Sequence, residues 1–397
     1  MVCVLIAALQ GCIMSPTDEP EEVVTPNQRP TQYTLRLAIV NQNGTMASRA
    51  SGHTQEQGTD AENYIDVMNR DYLVVIYTSS GEYVTTLDQS MLRVTTQPAS
   101  PYNTYIVEGV VDKSVAEESL KSNFKVMVVS NLRGFNVVNP VFSGTDLSGL
   151  WSNKTDYNFE YSFVNGNSWT PSITDRRLIP MFGIADVDGF EGKTEDNLGN
   201  IYTTTTIPML RAVAKVEILS TTTFDNGYTM DGATLSHYNE KGRLIPDVAK
   251  NPSWNISDTQ VESTSLPEGG DAPKGGIVTF VKEGSKLVAY IPEMALTGET
   301  GDNNRPHVML HVKGKTDPNF DYHFRLEFCE YTQQNGKYQP DKNNLFDEIL
   351  RNHIYRFEIN DVTKYGLILQ IGICPWGSET ISIPEFGSED ISIPEFD

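Results

Sequence analysis

Cysteine is scarce in this chain. Its 397 residues hold four, Cys3, Cys12, Cys329 and Cys374, too few for a disulfide-framed scaffold and without any paired-cysteine zinc spacing. Cys329 and Cys374 both fall in expected strands of the C-terminal half, where a bridge and two buried apolar thiols are both compatible with the sequence. Positive charge is short as well: 30 Lys and Arg stand against 52 Asp and Glu, a net charge of −22 with no basic stripe. That balance argues against a nucleic-acid surface and for a soluble, self-repelling exterior. Histidine is limited to His53, His237, His307, His311, His323 and His353. His307 and His311 are four apart, but in a segment that reads as a strand, where four residues at about 3.3 Å each separate the rings by about 13 Å. Such a pair cannot share one zinc ion at ligand distances near ~2 Å. There is no glycine-rich phosphate loop ahead of a helix. The acidic run Asp186-Val187-Asp188 meets no calcium-loop spacing and reads as a solvated loop. Trp151, Trp169 and Trp254 read either as a sugar-stacking platform or as core packing. No catalytic constellation stands out, so neither enzymatic activity nor a metal or cofactor is expected.

What the chain has in quantity is strand-forming residues. Its 18 Tyr and 16 Phe, with frequent Thr and Val, favour sheets over helices. Val2 to Leu9 is apolar but too short to cross a bilayer. It runs into Leu9-Gln10-Gly11-Cys12, which resembles a bacterial lipoprotein signal with Cys12 as the acylated residue, although no positive n-region precedes it. Residues 13–31 are rich in Pro, Glu and Thr and read as a flexible tether. The first clear strand is Tyr33 to Val40, with Leu35, Leu37 and Ile39 on one face and Thr34 and Arg36 on the other. The polar loop behind it, Asn41 to Asn63, carries Arg49 among small residues and reads as protease-accessible.

Further strands are expected at Tyr72 to Tyr77, Tyr83 to Thr85, Thr104 to Val111, Phe124 to Asn131, Tyr157 to Val164 and Arg177 to Val187, with a short helix at Ser114 to Lys121. A Gly-, Asp- and Asn-rich segment, Asp186 to Asn200, marks a candidate boundary. The second half opens with the apolar run Ile207 to Leu219. It continues with strands at Gly227 to Tyr238, Gly276 to Val281, Lys286 to Pro292, His307 to Lys313 and Tyr322 to Tyr331. Asn344 to Leu350 is expected to hold a turn or two of helix before the closing strands Arg351 to Ile359 and Gly366 to Trp376. Short strands with regular turn signals indicate two β-sandwiches in tandem, at residues 32–200 and 201–376. Beyond them, residues 377–397 repeat Gly-Ser-Glu-x-Ile-Ser-Ile-Pro-Glu-Phe twice, a strand-forming tail outside a finished fold.

Several segments together resemble one family: the signal with Cys12, Tyr72 to Tyr77 with its Ser-Gly turn, and Lys125 to Asn131. To these are added Ile179-Pro180-Met181-Phe182-Gly183, Leu210-Arg211-Ala212-Val213-Ala214-Lys215-Val216, and Arg351-Asn352-His353-Ile354-Tyr355 closing at Pro375-Trp376. In this order they resemble the fimbrillin superfamily of Bacteroidales, the subunits of type V pili. The resemblance implies an all-β chain of two transthyretin-like β-sandwich domains, export as a lipoprotein with a fatty-acyl (palmitate) anchor, and display on the outer-membrane surface. It also implies that a trypsin-like surface protease cuts behind the first strand, that this strand leaves with its lipid, and that the C-terminal strand of another pilus subunit fills the groove. Carried onto this sequence, the displaced strand is Tyr33 to Val40, the cleavage arginine Arg49, and the donor Glu379 to Phe396. The donor's anchors are Ile381, Ile383 and Phe386 in the first repeat and Ile391, Ile393 and Phe396 in the second.

Such an exchange has a physical basis. Removing a strand leaves unpaired backbone groups beside an apolar groove, and an incoming strand restores the ladder and fills the pockets. Burying Ile381 and Ile383 would each contribute roughly 1.5–3 kcal/mol. A tail of about twenty residues reaches about 65–70 Å when extended. Pro384 cannot donate to a ladder, and Phe386 falls on the opposite face from Ile381 and Ile383 in an unkinked strand. Other readings are a tail folded back on its own domain, a pilus anchor or tip adhesin, and a surface glycan-binding lipoprotein. The stalk reading also expects a host or bacterial surface ligand that the sequence does not specify.

Overall fold

The computed structural model describes residues 31–41, 58–90, 92–99, 102–133, 136–137, 142–152, 158–160, 169–238, 241–245, 277–334, 337–363 and 366–376. Its first elements are β1 (Gln32–Asn41), α1 (Asp60–Asn63), β2 (Tyr72–Thr78), β3 (Tyr83–Thr86), β4 (Arg93–Ala99) and β5 (Tyr102–Val111). Then come α2 (Lys113–Glu118), β6 (Phe124–Ser130), β7 (Asn136–Val137), α3 (Leu147–Ser152), β8 (Asn158–Glu160), β9 (Met181–Val187) and β10 (Asn200–Arg211). The second half begins with β11 (Val213–Ser220), α4 (Thr222–Gly227), β12 (Tyr228–Ser236), β13 (Lys241–Arg243), β14 (Ile277–Thr279), β15 (Val281–Glu283) and β16 (Lys286–Pro292). It continues through β17 (Met294–Ala295), β18 (His307–Gly314), β19 (Asp321–Glu327), β20 (Cys329–Gln334), β21 (Lys337–Leu345), β22 (Glu348–Ile349), β23 (His353–Thr363) and β24 (Gly366–Pro375). The chain is all-β, as its composition leads one to expect.

The first half forms one run of strands in the order β3-β2-β6-β9-β10-β1-β5-β4. β10 joins its two parts. Along Asn200–Met209 it pairs parallel with β1, and at Leu210 and Arg211 it pairs antiparallel with Phe182 and Met181 of β9. Gly183 permits the crossing, because a methyl group there would lie 2.6 Å from the Pro208 carbonyl oxygen and 2.7 Å from the Met209 sulfur. The residue must be glycine for the two backbones to approach this closely. Across the two parts, Phe190 meets Tyr33 of β1 edge-on at 5.3 Å and stacks on Phe124 of β6 at 6.2 Å.

The second half is built on a five-stranded sheet, β15-β16-β11-β23-β24, and a four-stranded sheet, β14-β12-β18-β19, with the short ladders β17-β22 and β20-β21 beside them in the chain. Phe328, just past β19, packs on Phe357 of β23 at 5.5 Å and on Tyr355 at 6.1 Å. One buried apolar cluster runs from Tyr33 to Trp376 through both halves. A small sheet, β13-β8-β7, also pairs second-half β13 with first-half β8. The division expected after residue 200 meets β10, which continues through it; sheet membership changes at Ala212.

Two local expectations change. Asn344 to Leu350 forms no helix, since it contains the end of β21 and all of β22. Phe346, Ile349 and Leu350 imitate a helical face by spacing, yet Ile349 pairs with Met294 across a short ladder. The strand expected over Tyr322 to Tyr331 breaks at Phe328, whose side chain is fully buried and whose carbonyl accepts from Phe346 N at 3.1 Å. In the segment Tyr157 to Val164, the described strand is Asn158–Glu160. Cys329 is a buried free thiol.

Candidate functional site: the β1 slot and the polar hub beside it

β1 lies inside its sheet. It pairs parallel with β10 from Gln32 to Asn41 and antiparallel with β5 from Tyr33 to Ile39. It is therefore the link between the β5–β4 hairpin and the rest of the first-half sheet. The apolar face read from the sequence holds, with Leu35, Leu37 and Ile39 in the core at 0%, 1% and 0% exposure, while Thr34 and Ala38 of the opposite face are buried too. On the other face Arg36 sits over the Tyr202 ring, 4.6 Å from its centroid, and donates from Nε to Glu108 Oε1 at 2.5 Å. Arg36 and Glu108 are directly opposite in the ladder, where a complementary pair stabilises and a like pair does not. At the start of β1, Tyr33 donates its hydroxyl to Glu117 at 2.7 Å; that hydrogen bond, then burial, holds the phenol above its ordinary pKa.

At its far end β1 meets a buried polar hub. Asn41 Nδ2 donates to Asn63 O at 3.0 Å and to Asn63 Oδ1 at 3.3 Å. Asn63 ends α1, a single turn closed at its start by a capping box in which Thr59 N donates to Glu62 Oε2 at 2.5 Å. Arg211, at the end of β10 and fully buried, distributes its donors over four partners among the described residues. Its Nε donates to Glu62 O at 3.1 Å, its Nη1 to Asn352 Oδ1 at 2.8 Å and to Trp376 O at 3.1 Å, and its Nη2 to Asn63 Oδ1. Its guanidinium also lies over the Trp376 indole, 4.6 Å from the ring centroid. The planar fork of arginine suits such divided recognition, and a lysine could not reproduce it.

Beside Arg211, Lys215 of β11 pairs with Glu62 Oε1 at 2.9 Å and Glu217 Oε1 at 2.8 Å, while Arg356 of β23 pairs with Glu217 Oε2 at 2.7 Å. Burial opposes the ionisation of Glu62, but the Lys215 charge and the Tyr290 hydroxyl hold its carboxyl below the ordinary value. Burial likewise opposes the Lys215 charge, and the carboxylates of Glu62 and Glu217 overcome it and raise that pKa. Burial, then the charge of Glu62, raises the Tyr290 phenol well above its usual range. These ionisable groups pair with one another. The hub joins the two halves of the chain, and Trp376, the last described residue, is fixed within it.

Of the residues singled out from sequence, Leu35, Leu37 and Ile39 lie in the slot. Cys12, Arg49, Ile381, Ile383, Phe386, Ile391, Ile393 and Phe396 lie outside the described residues. His311 stacks on His323 at 4.3 Å and contacts Asp321 at 2.5 Å, while His307 bonds to Arg305 O at 2.7 Å. Among the described residues no group of His, Cys, Asp and Glu is placed to hold a metal ion. Asp186 is ion-paired to Lys125 at 2.5 Å. Trp169 packs edge-on against Tyr290 at 5.6 Å, a packing role; Trp254 and the Trp151 side chain lie outside the described residues. Sequence reading missed the hub. Its available signals were Thr59-x-x-Glu62, a capping-box spacing, and three charged residues, Arg211, Lys215 and Glu217, inside an otherwise apolar run.

No protein-family model matches the chain, and no curated protein does. Solved structures similar to it include a proposed cell adhesion protein from Parabacteroides distasonis, at TM-score 0.46 and 11% identity, covering 88% of this chain and 98% of that one. A proposed cell adhesion protein from Bacteroides eggerthii is similar at TM-score 0.41 and 14% identity, covering 88% and 98%. A fimbrial assembly protein from Parabacteroides distasonis is similar at TM-score 0.41 and 12% identity, covering 86% and 95%.

Proposed function

We propose that this chain is a structural subunit of a cell-surface fimbria that supports adhesion, assembled by exchange of one strand. The observation that carries the reading is the position of β1, interior to its sheet and flanked by β10 and β5. Its departure would leave two unpaired strand edges beside an apolar trough once filled by Leu35, Leu37 and Ile39. Such a trough accepts a strand from another molecule, and the chain's own repeat at 377–397 supplies one of suitable pattern. On this reading Cys12 carries the lipid that holds the precursor at the outer membrane. A trypsin-like protease cuts after Arg49, and Ile381 and Ile383, or Ile391 and Ile393 of the second repeat, enter a neighbouring subunit. The partners are other pilus subunits, the protease, the membrane before processing, and a surface ligand. Its role is mechanical and adhesive rather than catalytic.

The test is size-exclusion chromatography after limited trypsin treatment. Wild-type chain should yield a core beginning at Ala50 and then a series of oligomers. Chain lacking residues 378–397 should yield the same core and stay monomeric. Equal oligomer series from both would overturn donation by the tail. A resistant core that keeps Tyr33 to Val40 covalently attached would instead favour an anchor subunit, which keeps its first strand.

A further inference from the structure

We infer that Arg211 couples the presence of β1 to the hold on Trp376, so that the base of the C-terminal tail is loosened when the first strand leaves. The inference rests on the proposed exchange of β1 and adds to it an order of events. Without such an order, a precursor would carry a free donor strand before its own slot was open, and could cap another subunit while unable to receive one.

The coupling follows a continuous set of buried contacts. Asn41, 5% exposed, is the last residue of β1. Its side-chain amide holds both the backbone oxygen and the side-chain oxygen of Asn63. Asn63 is thereby fixed from two sides, because its own Nδ2 donates to Gly58 O at 3.1 Å. The fixed Asn63 Oδ1 is one of the acceptors that orient Arg211. Arg211 in turn holds Trp376 twice, by a hydrogen bond to its carbonyl and by lying over its indole ring. Gly58 completes the wall behind Trp376: a methyl group on it would lie 2.9 Å from the indole Nε1.

Loss of β1 removes Asn41. The buried Asn63 carbonyl then lacks that donor, and an unsatisfied buried acceptor is costly enough to draw the segment toward water or a new arrangement. Asn63 and Glu62 are adjacent in sequence and both accept from Arg211, so a shift of α1 moves two of the groups that orient the guanidinium. Among the described contacts of Arg211, those to Asn352 and Trp376 do not involve α1. Residues 58–63 also close the segment, Asn41 to Asn63, that carries Arg49. Cutting that segment and withdrawing β1 therefore act on the same wall. Side-chain networks of this kind transmit coupling when their groups share acceptors and cannot relax independently.

The experiment uses the full chain. Asn41→Leu keeps the size of the side chain and removes the amide, and the apolar side chains of β1 keep the strand in its slot. Hydrogen–deuterium exchange should show β1 still protected, with amides of 366–376 exchanging roughly two- to thirtyfold faster than in wild type. Arg211→Lys should accelerate the same segment. Asn41→Ala serves as the second variant should Asn41→Leu fail to fold. In a mixing arm, uncut Asn41→Leu chain should join oligomers of trypsin-cut wild type, whereas uncut wild type should not. If cut wild type forms oligomers but the variant neither joins them nor exchanges faster, the coupling is overturned and strand donation stands. If cut wild type forms no oligomers, strand donation fails, and unchanged exchange at 366–376 would then overturn the coupling on its own.

Discussion

The thiol of Cys329 shows how far burial alone can change a residue's chemistry. It is fully buried, and burial, followed by the nearby charge of Glu327, pushes its pKa up to about 12. The thiolate is the nucleophile, so Cys329 should resist iodoacetamide at pH 8 in the folded chain and react promptly in urea, as read by peptide mass mapping. Rapid native-state labelling at Cys329 would contradict this burial. At this scale the sequence was readable where a residue's role is to be apolar on an alternating strand, as for Leu35, Leu37 and Ile39. It was unreadable where a polar residue is buried against a distant partner. Arg211 stands out as a cation in an apolar run, but its partners Glu62 and Trp376 were unreadable, because no local pattern specifies contacts between residues so far apart in the chain.

Among the elements, β1 concentrates both stability and vulnerability. Leu37 is buried at 1% exposure between β10 and β5, so Leu37→Ala should lower unfolding stability by about 2–5 kcal/mol through lost burial and the cavity left behind. It should also speed release of β1 after cleavage in the following loop. Urea unfolding and the rate of peptide loss from trypsin-cut chain would measure the two effects; a change below about 0.5 kcal/mol would place Leu37 outside the packed core. Strands with clean alternation or strong apolar runs, such as β2, β6, β16 and β24, were evident from period alone. Asn344 to Leu350 was not, because Phe346, Ile349 and Leu350 share helical spacing, and the pairing that decides against a helix comes from Met294, distant in sequence. The length of β10 was equally hidden. The Gly-, Asp- and Asn-rich segment Asp186 to Asn200 suggested a boundary where β10 begins, whereas the parallel ladder to β1 carries the strand on to Met209.

Across the whole molecule, the charged hub makes the union of the two halves sensitive to acid. Glu62 titrates below its ordinary value of 4.5 in the folded chain. Its contribution to stability is therefore present above that value and is lost as the pH falls through the folded-state value. Lys215 titrates above its ordinary 10.5, so its contribution is lost only as the pH rises through that higher range. Glu62→Gln should cost about 3–5 kcal/mol at pH 7, where Lys215 would lose one of its buried partners, and the deficit should narrow as the pH drops below about 4.5. Urea titrations of both proteins from pH 7 to pH 3 would show it; a deficit independent of pH would mean that the Glu62 charge contributes nothing. The all-β class was legible from composition and turn spacing. The shared apolar core and the place where the sheets change, Ala212, were not, since both depend on which strands meet. The placement of β1 between a parallel and an antiparallel neighbour also governs how the slot carries load. A strand at an edge can be peeled away one hydrogen bond at a time. A strand gripped along both sides and pulled lengthwise loads two ladders in shear, and many bonds must fail together. Whatever strand fills this slot is thereby suited to tension along its own axis.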